Sequence, residues 1–297
     1  MRTSKIRETL QGYGFMLPTL VILGLFTLFP IGYAIFLSFT RVNLLGGMEF
    51  EFTGWRNYQI AFSDERLLIA LRNTGRYVAF VVPTQTVIAL VMAYVLNSGV
   101  KFQKTFRMIY FLPTLTSSAA LTMIFMFLFS VNGPVNSFLV EWGILSSPIN
   151  FINDVNFALN TIMVMNVWST VPLYMTIYLA GLQDIPDALY EAASLDGANA
   201  VQKLTKITVP NLAPVTNYVL LMGIIGCFQV FDQAFIISGG TGGPNNATLT
   251  VALLIFRYAF RIVGTMGYAS ALAILLTILI FVVSMITKRL NKEEVAN

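Results

Sequence analysis

The sequence has no histidine, a single cysteine and few charged residues. Charged side chains make up 11% of the 297 residues, whereas about a quarter of an ordinary soluble domain is charged. The missing histidine excludes imidazole metal sites and histidine proton relays, and Cys227 alone cannot form a disulfide within the chain. Because 56% of the residues are hydrophobic, the composition indicates a protein embedded in the lipid bilayer.

Six apolar stretches are long enough for a helix to cross the bilayer, which takes about 20 residues. We therefore predict an all-α integral membrane protein with six transmembrane helices. The predicted spans are Met16–Phe39, Tyr77–Asn97, Met108–Ser130, Asn160–Leu182, Val215–Ile237 and Met266–Thr287. The first is uncharged for 24 residues, too long for the apolar core of a signal peptide, so we expect it to be retained.

Two further features qualify these spans. A seventh stretch, Thr248–Phe256, is too short to cross the bilayer and is expected to form a helix at a membrane surface. Five prolines fall inside the predicted spans, where neighbouring helices can satisfy the freed carbonyls, so they predict kinks and not breaks. They are Pro18, Pro30, Pro83, Pro113 and Pro172.

Positive charge is distributed unevenly between the two sets of connections. Eleven of the 18 lysines and arginines, including all seven lysines, lie in the two tails and in the connections 98–107 and 183–214. Because lysine and arginine favour cytoplasmic connections, both termini are predicted to lie in the cytoplasm. The connections are too short for a second domain. The predicted parts are a tail at 1–15, a membrane domain at 16–287 and a tail at 288–297, with outer loops at 40–76 and 131–159.

The cytoplasmic connection contains an unusual run of small residues, EAASLDGANAVQKLTKITVP, at 191–210. Pro186 suits the first turn of a helix, and Gly197 suits its C-cap. Ala198–Ile207 predicts a second short helix, stopped by Pro210. The small-residue face of the first helix is suited to a groove on a partner protein or to packing against this chain's own spans, and its periodicity is compatible with both.

This run resembles the EAA loop in permease subunits of ATP-binding cassette importers. The resemblance rests on Glu-Ala-Ala at 191–193 and Asp-Gly-Ala at 196–198, followed by Leu204, Ile207, Pro210 and Pro214. Other stretches are similar to first-subunit permeases of the maltose and glycerol-phosphate type, and the similarity covers nearly the whole chain. They are LPTLVILGLFTLFPIGYAIFLSFT in the first span, FTGWRNYQ at 52–59, FQVFDQAFIISGGTGGP at 228–244 and YASALAILL at 268–276.

The resemblance implies the type I importer permease architecture, with the loop at 186–210 docked in a cleft of the ATPase subunit. Two features depart from the family pattern: the outer domain and extra N-terminal spans of the enteric maltose subunit are missing, and Leu204 stands where phenylalanine is common. The implied coupling residues are Glu191 as charged contact, Ala192 and Ala193 as docking face and Gly197 as turn, together with Leu195, Asp196 and Leu204.

By the same resemblance, the chain is a non-catalytic subunit of an ATP-driven, binding-protein-dependent importer of sugars, with oligosaccharides favoured. It would lie in the cytoplasmic (inner) membrane of a bacterium, with a second homologous permease, two ATPase subunits and an extracellular sugar-binding protein. The sequence has no nucleotide-binding motif, so no cofactor is expected on this chain, and ATP and Mg would bind the partner ATPases. The binding protein would dock on residues within 40–76, 131–159 and 239–265. No nucleic-acid partner is expected.

Aromatic and amide side chains of the fourth and fifth spans are candidates for a sugar path, because sugars stack on aromatic faces and hydrogen-bond to amides. They are Asn166, Trp168, Tyr174, Tyr178, Asn217, Tyr218, Phe228 and Gln229. Such side chains also join membrane helices to one another, so each has a structural alternative. Asp232, the acidic residue inside a predicted span, joins the set, with pairing to Arg257 or Arg261 as its structural alternative.

Two other classes of function are alternatives to the importer. The first is a secondary transporter driven by an ion gradient, with Asp232 as its coupling site. The second is a membrane-embedded enzyme, which no cluster of His, Asp or Cys supports. The glycine-rich stretch at 239–246 lacks the Gly-Lys-Ser/Thr ending of a phosphate loop and predicts a flexible outer turn.

Overall fold

The computed structural model describes residues 2–43, 49–98 and 101–296. Residues 44–48 of the predicted outer loop, residues 99–100 of the 98–107 connection and the two terminal residues lie outside these ranges. The N-terminal half of the described chain contains α1 (Arg2–Leu23), α2 (Phe29–Ser38), β1 (Thr40–Asn43), β2 (Glu49–Phe52), α3 (Arg56–Ser63), α4 (Glu65–Asn97), α5 (Gln103–Leu115), α6 (Ser118–Leu128) and α7 (Pro134–Glu141). The C-terminal half contains α8 (Ala158–Gln183), α9 (Asp187–Leu195), α10 (Ala200–Lys203), α11 (Val209–Asn211), α12 (Ala213–Phe228), α13 (Asp232–Ser238), α14 (Val251–Phe260) and α15 (Met266–Ala296).

Within the described residues, five helical segments are long and apolar enough to cross a membrane, and a sixth results if the bent pair α5–α6 is one span. The five are Gly12–Ser38, Glu65–Asn97, Ala158–Gln183, Ala213–Ser238 and Met266–Leu290. Each overlaps a predicted span. The seventh stretch forms the ten-residue helix α14, too short for a span, as predicted.

The prolines act as predicted in most spans. Helices α1, α4 and α8 continue through Pro18, Pro83 and Pro172. In the first span a π turn at Gly24–Leu28 precedes Pro30, a common local adjustment next to a residue that lacks a backbone N–H.

The third predicted span is broken, but the break does not fall at Pro113, which lies inside α5. Helices α5 and α6 meet at 99°, and Thr116 between them is extended, with ψ at 137°. Ser117 then starts α6 as its N-cap, because its hydroxyl accepts a hydrogen bond from the Ala120 N–H at 3.3 Å. A capping serine directly after an extended residue ends one helix and begins another.

The chain divides into two compact units, Met1–Asp64 with Ile255–Leu275, and Glu65–Leu254 with Leu276–Asn297. In the first unit, β1 and β2 form an antiparallel hairpin in which Thr40 pairs with Phe52 and Asn43 with Glu49. The all-α prediction is therefore wrong for this segment of the predicted outer loop. Strand β1 alternates as a half-buried strand does, since Val42 is buried while its neighbour Arg41 is exposed, whereas β2 is exposed along its whole length.

In the second unit, α4 packs against both α8 and α12. Small residues permit the close approach: Ala89 and Ala93 of α4 are fully buried, and Gly223 of α12 lies against the side chain of Gln85. Gly181 near the end of α8 leaves room for Val215 and Leu212 in the same way. Small interfacial residues are the usual means by which membrane helices pack tightly.

Candidate coupling loop and membrane path

The connection after α8 folds into the predicted helix–turn–helix. Helix α9 runs from Asp187 to Leu195, with Pro186 as its N-cap. Gly197 adopts a φ of +75°, and its N–H bonds to the Ser194 carbonyl while the next N–H, of Ala198, bonds back to Ala193 at 2.8 Å. These two bonds form a Schellman cap. The cap favours glycine, because it requires a left-handed backbone conformation that is strained for other residues. The predicted turn at Gly197 is confirmed.

The second helix of the loop is longer than predicted. Asn199 starts α10 with a capping box, exchanging hydrogen bonds with Gln202 at 2.8 and 2.9 Å. The helix passes through a π turn at Leu204–Thr208 and continues to Asn211. Pro210 therefore does not stop it, because the π turn bonds the Val209 N–H to the carbonyl of Leu204, five residues back, and shifts the hydrogen-bond register before the proline.

Side-chain contacts join the two halves of this loop. The Tyr190 hydroxyl lies 2.9 Å from the Thr208 hydroxyl, and the Lys203 ammonium donates to the Ser194 hydroxyl at 2.6 Å. Tyr94 of α4 donates to the Ala200 carbonyl at 3.2 Å. The loop is thus braced internally and tied to a long helix, so a force applied to it can reach the spans.

Several apolar side chains of this loop are exposed, whereas Leu204 and Ile207 are half-buried. Leu195 is 89% exposed and Val201 67%, and α9 has no buried residue. Glu191 and Ala192 are exposed as well, while Ala193 is half-buried. Exposed apolar side chains beside a charge indicate a surface for another protein, and the exposure of Ala192 argues against packing on the chain's own spans.

The candidate sugar-path residues fall into two groups. Tyr174, Tyr178 and Phe228 are buried within the second unit, and the Tyr178 hydroxyl donates to Thr216 at 3.1 Å. This burial favours a packing role for those three. The others remain accessible: Asn166 and Asn217 are half-buried, and Trp168, Tyr218, Gln229 and Asp232 are exposed.

Asp232 lies in the first turn of the short helix α13, just after α12 ends at Phe228. A carboxylate at this position is stabilised by the unpaired N–H groups and the dipole of a helix N-terminus. Its exposed location is compatible with either a structural or a functional role.

Sequence reasoning missed a buried polar cluster between α4, α8 and α12. The Gln85 amide is 1% exposed, and its oxygen accepts a hydrogen bond from the Thr170 hydroxyl at 2.7 Å. Its amide nitrogen and the hydroxyl of the fully buried Tyr77 have no hydrogen-bond partner within the described part of the chain. Periodicity could have found them, because Tyr77 and Gln85 are eight residues apart on the face of α4 that packs against other helices.

The first unit contains a polar cavity of about 870 Å³ next to the hairpin. Arg41, Arg56 and Asn57 line it, and Asp64 accepts hydrogen bonds from Tyr258 and Tyr268 at 2.9 and 2.8 Å. All of these residues except Tyr268 fall in the segments expected to receive the binding protein. Tyr268 lies three positions after the end of the last of these segments, 239–265.

The model of the binding-protein-dependent transport system inner membrane component family matches residues 85–293, which is more than half of the chain. The chain belongs to this family. It is therefore a non-catalytic membrane subunit of an ATP-binding cassette importer, and the loop at 186–210, α8 and α12 lie within the matched region, which begins inside α4.

Relatives of this permease match almost from end to end. The lactose transport system permease protein LacF of Rhizobium radiobacter is 32% identical over 275 residues, 92% of this chain and 91% of the relative. The arabinooligosaccharides transport system permease protein AraP of Bacillus subtilis is 34% identical over 282 residues, 94% of this chain and 88% of the relative.

The fold matches as well. A chain in a crystal structure of a bacterial alginate ABC transporter, in complex with an alginate pentasaccharide-bound periplasmic protein, superposes with a TM-score of 0.82. The superposition covers 98% of this permease and 97% of the alginate transporter chain, at 20% sequence identity. At that identity the likeness establishes the helical permease fold alone.

Proposed function

We propose that this permease is one of two transmembrane subunits of a bacterial importer for oligosaccharides, powered by ATP and Mg bound to separate ATPase subunits. A second homologous permease completes the path, and an extracellular binding protein delivers the sugar. The names of the relatives support this substrate class, since they transport lactose and arabino-oligosaccharides. The solved importer of similar fold was crystallised with an alginate pentasaccharide on its periplasmic protein.

The proposed topology has six spans in the cytoplasmic membrane, with both termini in the cytoplasm. It treats α5 and α6 as one broken span, which agrees with the bent pair. Irregular backbone inside a bilayer needs to be buried in protein or to line a water-filled space. The break at Thr116 and Ser117 therefore suits a position facing the path or a second subunit.

The observation that carries the proposal is the outward-facing coupling loop at 186–210. Helix α9 presents exposed small residues, an exposed Glu191 and, at its C-terminal end, the exposed Leu195. Such a surface suits a cleft on another protein. Gly197 makes the turn, and the internal bonds from Tyr190 and Lys203 keep the two halves moving together. Closure of the ATPases would thus rock the spans and alternate access to the path.

The sugar path itself is proposed from the accessible polar and aromatic residues. Tyr218 is about half exposed, and Asn166, Asn217, Gln229 and Asp232 also remain accessible. Such side chains offer the flat faces and hydrogen-bond partners that sugars need. The outer segments within 40–76, 131–159 and 239–265 would receive the binding protein.

Uptake into vesicles tests the proposal against an ion-driven transporter. The complex that copurifies with this chain is reconstituted, and entry of labelled maltose-type oligosaccharides is followed with ATP inside and binding protein outside. We expect uptake that needs both, and that is unaffected by collapsing proton and sodium gradients. Uptake that persists without ATP, collapses with an ion gradient and is lost in Asp232→Asn would contradict the proposal.

A further inference from the structure

A groove made of three adjoining pockets follows α4 in the second unit. Its floor is a stripe of side chains at a spacing of four residues, formed by Phe80, Thr84, Ile88 and Met92. Helix positions four apart are neighbours on the helix surface, and each step turns about 40° around a helix of 3.6 residues per turn, so the stripe climbs α4 obliquely. Arg76 continues the same row by one more turn.

The groove consists of chambers that share their walls. The central chamber, of about 540 Å³, lies between α4, α5 and α8. A second chamber of about 550 Å³ shares Phe80 and Val164 with it and reaches Arg76 and Asn160. A third of about 290 Å³ shares Met92 and Tyr110 at the opposite end. The three chambers therefore adjoin one another along α4.

The walls of the central chamber suit a hydrocarbon. Most are aliphatic or ring carbon from α5 and α8, including Ile109, Pro113 and Val171. The Thr84 hydroxyl is already used, because it donates to the Phe80 carbonyl at 2.7 Å. A sugar placed here would lose hydrogen bonds to water and gain few in return, which is costly, whereas an acyl chain would lose none.

The Arg76 end of the groove suits an anion. The guanidinium of Arg76 is exposed and donates to the Asn160 amide oxygen at 3.0 Å. Within the described residues no carboxylate forms an ion pair with it. An arginine offers several further N–H donors in a planar fork that matches a phosphate group, so one donor on Asn160 leaves others for a ligand.

The distances along α4 agree with the dimensions of a membrane leaflet. Twelve residues separate Arg76 from Ile88, about 18 Å of helix at 1.5 Å per residue. Half of the hydrocarbon core of a bilayer measures about 15 Å. A phosphate at Arg76 thus lies one leaflet away from the inner part of the central chamber.

We propose that this groove is a binding site for an anionic phospholipid, with its phosphate on Arg76 and an acyl chain in the central chamber. Trp168, half exposed on α8, then contacts the lipid chain and not a transported sugar. Charge and length together favour a lipid over a protein occupant, because a partner helix would have to place an acidic side chain opposite Arg76 and fill a narrow furrow along the whole stripe. The site needs only the membrane-embedded fold and is independent of the proposed substrate.

Photolabelling of the full-length chain, purified with whatever subunits accompany it, tests the site. The protein is reconstituted in phosphatidylcholine nanodiscs containing a small fraction of phosphatidylglycerol with a diazirine in its acyl chain. Labelled peptides are mapped by mass spectrometry, and phosphatidylcholine with the same diazirine is the reference lipid. We expect the 80–92 and 164–172 peptides to be labelled about fivefold more by the anionic lipid, the preference that one arginine near a membrane surface can supply.

Matched variants separate binding from general lipid contact. Arg76→Gln should abolish the preference, whereas Arg72→Gln, one helical turn earlier and also exposed, should keep it. Val164→Phe narrows the passage between two chambers and should reduce labelling at 80–92, while Val87→Phe, exposed on α4 but outside the groove lining, should not.

Two results would overturn the proposal. Equal labelling by both lipids, unchanged in Arg76→Gln, would indicate ordinary boundary lipid. Absence of label at 80–92 and 164–172, with label elsewhere on the chain, would indicate that another subunit covers the groove. Neither result depends on whether the importer carries an oligosaccharide, so this inference and the proposed function fail separately.

Discussion

Helix α9 of the coupling loop and helix α4 of the membrane core use the same small residues in opposite surroundings. Ala89 and Ala93 of α4 are fully buried, because α8 and α12 pack on them. Ala192 of α9 is exposed, and its neighbour Leu195 is 89% exposed. A small-residue face permits a close approach in both places, and for α9 we propose that the approaching surface belongs to a different chain.

The largest expected effect comes from the exposed side of this comparison. Glu191→Ala should weaken docking of the ATPase subunit, because it leaves the partner's buried charge unpaired at a cost of about 2–5 kcal/mol. That corresponds to roughly thirtyfold or more in affinity, measured as ATPase subunit retained on the purified permease. Asp187→Asn, an exposed acid on the same helix, is the control. Unchanged retention and unchanged uptake in Glu191→Ala would refute the docking role.

The second prediction adds one methyl group at a buried contact of α8. A Cβ at Gly181 would lie 2.7 Å from Val215 Cγ2 and 3.0 Å from Leu212 Cδ2. We expect Gly181→Ala to destabilise the fold by about 1–3 kcal/mol through overpacking, seen as a lower thermal unfolding midpoint in detergent. Gly226→Ala is matched, since nothing lies within 4 Å of its Cβ position. Equal midpoints for the two variants would mean that α8 and α12 do not pack as described.

Substitutions at the turn of the coupling loop should act through backbone strain and not through crowding of the new side chain. Gly197 has a φ of +75° with no atom near its Cβ position, so Gly197→Val should strain the turn by about 1–2 kcal/mol. ATP-driven uptake should fall, and the unfolding midpoint should drop no further than in Gly181→Ala. Gly197→Asn should retain most uptake, because asparagine tolerates the left-handed conformation. Similar losses in both variants would point to a contact of Gly197 itself.

The smallest expected effect concerns a candidate path residue that the structure buries. Tyr178→Phe removes the hydrogen bond to Thr216, and such bonds between membrane helices contribute about 0.6 kcal/mol on average. A slight drop in the unfolding midpoint, with an unchanged half-saturating sugar concentration for uptake, is expected. Tyr218→Phe, at a side chain that is 52% exposed, is the comparison. A clear loss of sugar affinity in Tyr178→Phe would indicate that Tyr178 contacts the transported sugar.

Local signals in the sequence predicted most of the helices and the coupling loop. Apolar runs of about 20 residues and glycine at position 197 act through near neighbours, so the spans and the turn follow directly from the sequence. The break at Thr116 and Ser117 and the continuation of a helix through Pro210 were not predicted. Both depend on capping and on a change of hydrogen-bond register, and a hydropathy pattern does not record either one.

The candidate membrane sites depended on distant neighbours. Tyr174 and Tyr178 are buried and Tyr218 is exposed, although all three are tyrosines. The difference depends on how α4, α8 and α12 pack together. The Gln85–Thr170 bond joins residues far apart in sequence, so the spacing within either helix gives no sign of it. The groove beside Arg76 likewise required three helices to be placed side by side.

The measurement that tests the account most directly is photocrosslinking from Leu195 in the native membrane. A photoreactive amino acid replaces Leu195, and Phe281, a 65% exposed residue of α15, serves as the reference position. The account predicts an adduct between position 195 and an ATPase subunit, and none from position 281. Crosslinks from position 195 to lipid or to this chain's own spans, with no ATPase adduct, would contradict the assignment of α9 as the coupling surface.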